Sequence, residues 1–370
     1  MKPKKSSQKR RARPSGETVL DDSKEAAVVA GLRYVSDKLP GISRRKKRHD
    51  FVYYEKDGGL VSDPTELKRI RALVIPPAWD RVWICSRANG HLQATGFDSK
   101  GRKQYKYHPT WREVRDEAKF ERLLSFAEVL PKIRRKVDAD LQRPDLSREK
   151  VLATVVRLLE ISLIRIGNEE YAKENRSFGL TTMHNRHAEI NGSTVKFRFR
   201  RKSCKQHTVE VSDRRIARIV QKCQDLPGQH LFEYQDSNGD IASIASEDVN
   251  EYLRSITGQS FTAKDFRTWA GTVLAAIALA KMEEVDSKTV AKKNVVTAIE
   301  AVARLLGNTV TICRKCYIHP AIPTSYLAGT LAQNLRMKAD TEIAQRLHEL
   351  KPEEAAVITL LRQELADRGR

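Results

Sequence analysis

The stretch Leu305-Leu306-Gly307-Asn308-Thr309-Val310-Thr311-Ile312-Cys313-Arg314-Lys315-Cys316-Tyr317-Ile318-His319-Pro320 sets a tyrosine among Arg314, Lys315 and His319. A phenol titrates near pH ~10, so Tyr317 is a poor nucleophile until nearby cations stabilise its anion. The same cations suit a phosphodiester, which brings its own negative charge. The chemistry these residues point to is attack of Tyr317 on a DNA phosphate. The plain alternative is a half-buried tyrosine near a helix end.

Other residues could serve the same anion. Arg165 interrupts an apolar run (Val151, Leu152, Val155, Leu158, Leu159, Ile161, Leu163, Ile164). A guanidinium there is costly to bury unless an anion meets it, and a structural carboxylate would do as well as a phosphate. Arg267 falls near the start of a helix opened by Phe261-Thr262-Ala263-Lys264-Asp265, where free N–H groups and the macrodipole favour an anion. Lys202 falls at a hairpin tip, able to swing into a DNA groove or simply solvated. Cys313-x-x-Cys316 could suggest zinc, but no second Cys or His pair stands at ligand spacing, and no metal is expected.

The whole chain agrees with a polyanionic partner. Its 370 residues carry 68 Lys and Arg against 47 Asp and Glu, a net charge of +21. Nucleic acid is the commonest such partner inside a cell. The basic residues are spread along the chain rather than gathered on one amphipathic helix, and no window approaches a membrane span, so no membrane partner is expected. No apolar run follows the basic N-terminus, and five scattered Cys fit reduced thiols. The expected location is the cytoplasm, in association with the nucleoid. Neither a Walker-type phosphate loop nor a Gly-rich dinucleotide fingerprint appears, so no cofactor is expected.

Four segments are expected to position these side chains. Residues 1–27 form a disordered basic arm. Residues 28–108 form a small β-rich domain, with strands at Phe51–Tyr54, Val82–Cys85, Leu92–Gly96 and Lys103–Tyr107 and one helix capped by Asp63 with Pro64 in its first turn. The strip Lys103, Gln104, Tyr105, Lys106, Tyr107 alternates polar, aromatic and basic residues, which suits contact with a DNA groove or an ordinary half-exposed strand. Residues 109–345 read as mainly helical, with the longest helix at Leu146–Tyr171 and further helices at 213–224, 246–257, from Phe261, and Val290–Leu306. Asn191-Gly192 marks a β-hairpin whose second strand faces Val195, Phe197 and Phe199 inward and Lys196, Arg198 and Arg200 outward. Its next turn carries Arg201, Lys202 and Lys205. Residues 346–370 form a final helix and tail, the helix starting at Pro352.

Taken together and in order, these pieces resemble the type IB DNA topoisomerases in their compact bacterial and poxviral form. The matching segments are Val74-Ile75-Pro76-Pro77-Ala78-Trp79, Gly101-Arg102-Lys103-Gln104-Tyr105, Ile164-Arg165-Ile166-Gly167, Phe178-Gly179-Leu180-Thr181-Thr182, Lys264-Asp265-Phe266-Arg267-Thr268-Trp269 and Gly307-Asn308-Thr309 through Tyr317. The resemblance implies an α+β fold, a β-rich N-terminal cap domain plus a larger mainly α-helical catalytic domain with a β-hairpin. It implies Tyr317 as the nucleophile forming a 3′-phosphotyrosyl bond, Arg165 and Arg267 as the clamp on the scissile phosphate, and Lys202 as general acid, with Lys205 a nearby rival. Asn308 stands where many relatives carry His; it can donate a hydrogen bond but cannot move a proton. DNA contact is expected from Lys103, Gln104, Tyr105, Tyr107, Arg201 and Lys205. The implied activity relaxes supercoiled double-stranded DNA without ATP or metal, by a monomer acting as a clamp.

Two other readings are open at this level. A tyrosine recombinase shares the Arg/Lys/Arg/Tyr chemistry, though it lacks the β-rich cap with Gln104-Tyr105. A non-catalytic architectural DNA-binding protein accounts for the charge but leaves the ordered Arg, Lys, Arg, Asn, Tyr series unexplained.

Overall fold

Alternation of apolar and polar residues between Ile42 and Tyr107 builds an antiparallel sheet in the first of two units, which runs to Phe120. The computed structural model describes residues 24, 26–47, 50–201, 206–236, 238–282, 287–331 and 350–368. Most of the basic arm therefore lies outside the described residues. The five strands are β1 (Ile42–Lys47), β2 (Asp50–Tyr54), β3 (Asp80–Ile84), β4 (Leu92–Phe97) and β5 (Lys103–Tyr107), in spatial order β2-β1-β3-β4-β5. Helix α1 (Pro64–Ala72) starts as expected, with Asp63 accepting from the Thr65 amide at 2.9 Å. It lays Ile70 into a core of Ile42, Val61, Val82, Ile84 and Ala94.

The cationic run Arg44–Lys47 is itself part of a strand. Its first guanidinium is structural, because Arg44 donates to the carbonyls of Ile75, Pro76 and Trp79 at 3.2, 3.0 and 2.7 Å. These bonds hold the Pro76-Pro77 segment, which has few amide donors of its own. Val28 and Val29 are exposed, and the buried residues near the start are Ala27 and Leu32, packed on Trp111.

The second unit, from Glu121 onward, is mainly helical. Helix α2 (Pro109–Leu141) is the longest and runs through the division between the units; α3 (Arg148–Ser162) and α4 (Glu169–Asn175) follow. A three-stranded meander comes next: β6 (Ala188–Asn191), β7 (Thr194–Arg200) and β8 (Gln206–Ser212), in that spatial order. Val195, Phe197 and Phe199 of β7 are buried, as the alternation predicts. Then come α5 (Arg214–Gln224), a small hairpin of β9 (Glu233–Gln235) and β10 (Ile241–Ser243), α6 (Ser246–Thr257), α7 (Ala263–Ala280), α8 (Lys288–Leu306), α9 (Val310–Tyr317), α10 (Ala321–Leu327) and α11 (Pro352–Arg368).

Helices α3 and α7 are the most buried, α3 through Val151, Leu152, Val155, Leu158 and Leu159, and α7 through Phe266, Trp269, Ala275 and Ala276. Helix α11 is fastened by Glu354, which accepts from Arg134 of α2 at 2.9 Å and from Trp269 Nε1 at 3.1 Å. That pairing with Arg134 holds the Glu354 carboxyl below its ordinary range against a burial effect that would raise it. On α8, Val296 is exposed. No single described helix is long and apolar enough to cross a membrane.

Candidate active site

A break in the longest apolar run creates the site. The apolar run from Val151 continues past Ile164, but α3 stops at Ser162, and Leu163 turns left-handed at φ 58°. Arg165 is therefore not on a helix face, as expected, but on an extended segment. That segment exchanges helical hydrogen bonds for tertiary ones: Arg165 O accepts from the Leu180 amide at 2.9 Å, and Ile166 O from the Thr181 amide at 2.7 Å. Gly179 is what lets the two segments touch, since a Cβ there would stand 2.5 Å from both Arg165 O and Gly167 N.

Two helix ends converge on Arg267. Its guanidinium donates to Leu163 O, at the C-cap of α3, and to Leu306 O, the last residue of α8, the latter at 2.6 Å. Terminal carbonyls of a helix lack intrahelical donors and carry negative partial charge, so a cation suits them. The side chain is 4% exposed. Burial, helped by the neighbouring Arg165 cation, lowers its pKa to about 10. Its guanidinium carbon lies 5.4 Å from the centroid of the Tyr317 ring. Its Nε is buried without a partner among the described residues.

Gly307 closes α8 in the left-handed region, φ 64°, and delivers Asn308 to the same place. Arg165 donates to Asn308 Oδ1, while Asn308 Nδ2 is buried with no partner among the described residues. Helix α9 then begins, with the Thr309 side chain accepting from the Ile312 amide, and ends at Tyr317. Tyr317 is pressed close to α7: a Cβ on Gly271 would lie 2.5 Å from Tyr317 O and 3.1 Å from Tyr317 Cβ.

The cations beside Tyr317 in sequence are not the ones beside it in space. Arg314 and Lys315 are exposed on α9. His319 is buried, its amide donating to Thr272 Oγ1 and its Nδ1 accepting from the Ala321 amide, both at 3.1 Å. The cation against the ring is Arg267.

Arg165, Arg201, Arg267 and Tyr317 line one pocket of about 260 Å³, together with Phe178, Phe199 and His207. Arg201 lies close against Gly307, where a Cβ would reach its guanidinium, and its Nε has no partner among the described residues. His207 is a residue that sequence reasoning missed. Burial, and then the cations Arg201, Arg267 and Arg165, push its pKa below the usual value. Its only sequence signal is its place on the face of β8 shared with Val209 and Val211. Lys202 and Lys205 lie outside the described residues.

In the first unit the predicted β5 strip divides. Lys103 pairs with Asp37 at 2.5 Å, and Gln104 Nε2 donates to Asp98 at 3.0 Å. Tyr105 is 46% exposed and stacks on Tyr107 at 6.1 Å, while Tyr107 packs toward the Ala27–Trp111 cluster.

Comparison with known proteins gives matches over both units. Residues 108–338 match the family described as eukaryotic DNA topoisomerase I, catalytic core, and residues 50–98 match the bacterial DNA topoisomerase IB N-terminal domain. The DNA topoisomerase 1B of Acanthamoeba polyphaga mimivirus is 31% identical over 288 residues, 76% of this chain and 85% of the viral one. The DNA topoisomerase 1B of Vaccinia virus (strain Copenhagen) is 24% identical over 251 residues, 66% and 74% of the two chains.

Proposed function

The chain belongs to the type IB DNA topoisomerases, isomerases of DNA, and on that premise we propose that it relaxes supercoiled duplex DNA through a transient 3′-phosphotyrosyl bond at Tyr317. The observation that carries this reading is the shared pocket in which Arg267 stands over the Tyr317 ring and Arg165 is bonded to Asn308.

In the proposed step the Tyr317 phenol gives up its proton to solvent and its oxygen attacks phosphorus, the bond to the 5′-oxygen breaks, and Lys202 protonates that departing oxygen to leave a 5′-hydroxyl. Phosphorus gains negative charge on its non-bridging oxygens as the new bond forms. Arg165 and Arg267 meet that charge with planar forks, and the spare Nδ2 donor of Asn308 adds a neutral one. Because both guanidinium groups are held by the protein before substrate arrives, little reorganisation is needed at the moment of reaction.

The energy of the broken diester is kept in the tyrosyl ester. Attack by the 5′-hydroxyl reverses the step, so neither ATP nor a metal is required. Between the two steps the free end rotates about the intact strand and supercoils of either sign are lost. The proposed partner is double-stranded DNA held by a monomeric clamp, with Tyr105 and its β5 neighbours and Arg201 among the contacts. Affinity should fall steeply with salt.

The test is supercoiled plasmid incubated with the protein, EDTA and no ATP. Relaxed topoisomers are expected, and Tyr317→Phe should bind the DNA yet produce none. Plasmid left supercoiled by the wild-type chain over a range of salt would sink the assignment.

A further inference from the structure

Some arginines of the second unit are paired with carboxylates. Arg134 meets Glu160 and Glu354, Arg157 and Arg215 meet Asp138, Arg148 meets Asp248, and Arg362 meets Glu128. A group of four beside the β7–β8 hairpin gathers around one hollow. Arg176, Arg186, Arg198 and Arg200 surround a second pocket of about 380 Å³. Of these, only Arg198 has a carboxylate partner, Glu189 at 3.4 Å. The guanidinium groups of Arg176, Arg186 and Arg200 have no ion pair or hydrogen bond among the described residues.

Three unpaired cations facing one hollow repel one another, and an anion between them would remove that repulsion. The floor of the hollow is not built to supply one. It is formed by Phe178, Phe199 and His187, the last two 3% and 9% exposed. Phe178 packs on His187 with centroids 4.5 Å apart, so the floor is aromatic and fixed. Burial and the adjacent Arg186 lower the His187 pKa to about 4, which leaves the ring neutral at physiological pH.

The hollow is also a neighbour of the catalytic pocket. Phe178 and Phe199 line both. Consecutive residues divide between them: Arg201 and Ser177 line the catalytic pocket, Arg200 and Arg176 the second one. Cationic side chains from neighbouring residues of the chain therefore line two adjacent pockets, and a polyanion reaching the first has further positive charge beside it.

We propose that Arg176, Arg186 and Arg200 form an anion cradle, distinct from the catalytic pocket, that holds the phosphate backbone of the DNA strand flanking the scissile step. The proposal rests on duplex DNA as the substrate but not on Tyr317 being the nucleophile.

The test is equilibrium binding of a duplex oligonucleotide across a series of salt concentrations, in the full chain carrying Tyr317→Phe so that no covalent step intervenes. The combined Arg176→Ala, Arg186→Ala, Arg200→Ala variant should lower the slope of log affinity against log salt by roughly 2–3, about 0.9 for each phosphate no longer neutralised. The corresponding triple Lys variant, which keeps the charge, should retain the parent slope. Arg362→Ala, which removes one charge from a pair with Glu128, should also retain it. An Ala triple with the parent slope, or a Lys triple whose slope drops as far as that of the Ala triple, overturns the cradle. Failure of plasmid relaxation would instead strike the proposed activity and leave this slope standing.

Discussion

Arg165 donates its hydrogen bond to Asn308 Oδ1 across 143 residues of chain. The bond orients the amide: with Oδ1 engaged, Nδ2 is left as a buried donor without a partner among the described residues. A histidine could fill this position as donor or as proton carrier. The asparagine in this chain can hydrogen-bond but cannot carry a proton, which places its contribution in charge stabilisation.

Asn308→Ala is accordingly expected to slow single-turnover cleavage of a duplex oligonucleotide about 10²–10³-fold, the usual loss for one oxyanion donor. Asn308→Asp should be slower still, because an acceptor-only carboxylate would then oppose the phosphate. Cleavage by Asn308→Ala at the wild-type rate would remove this residue from the chemistry.

Arg267 spends its fork on two backbone carbonyls as well as on the pocket. Lysine supplies one compact charge and cannot bridge Leu163 O and Leu306 O in the same geometry. Arg267→Lys should therefore lose most of the cleavage rate despite keeping the charge. Arg267→Ala should add a stability loss of about 1–3 kcal/mol from the uncovered carbonyls, read by urea denaturation. A Lys variant cleaving like wild type would show that charge alone matters.

Gly271 touches no substrate in the proposed mechanism, yet it has no room for a methyl group against Tyr317. Gly271→Ala should push α9 away from α7, costing about 1–3 kcal/mol and displacing the nucleophile. The expected signature is a large fall in cleavage with DNA affinity nearly retained. Equal losses of both would indicate general unfolding instead.

His187 gives the fold a dependence on acid. Its folded pKa, about 4, lies below the ordinary 6.5. Between those values the unfolded chain holds a proton that the folded chain does not, so acidification favours unfolding. Thermal stability should fall as pH drops from about 6.5 toward 4 and lose this contribution's slope below that. His187→Asn keeps an acceptor for the His184 amide, which now donates to His187 Nδ1 at 3.0 Å, and should flatten that part of the profile. An unchanged profile in the variant would rule out His187 as the source.

Much of the local structure could be read directly. The β7 alternation, the Asn191-Gly192 turn, the Asp63-Pro64 helix start and the α8 stop at Gly307 each depend on residues within a few positions of one another. The order of Arg165, Lys202, Arg267, Asn308 and Tyr317 was legible for the same reason, since side-chain identity is written in the chain. What the chain alone left hidden depends on partners far away in sequence. The apolar run at Leu163–Ile166 looks like continued helix because burial by a neighbouring turn and burial on a helix face select the same residues. The carbonyls of Leu163 and Leu306 that seat Arg267 are backbone groups, present in every residue and therefore marked by none. For that reason the cations nearest Tyr317 in sequence, Arg314 and Lys315, were the wrong ones, and the guanidinium that does face its ring arrives from α7 only when the helices pack.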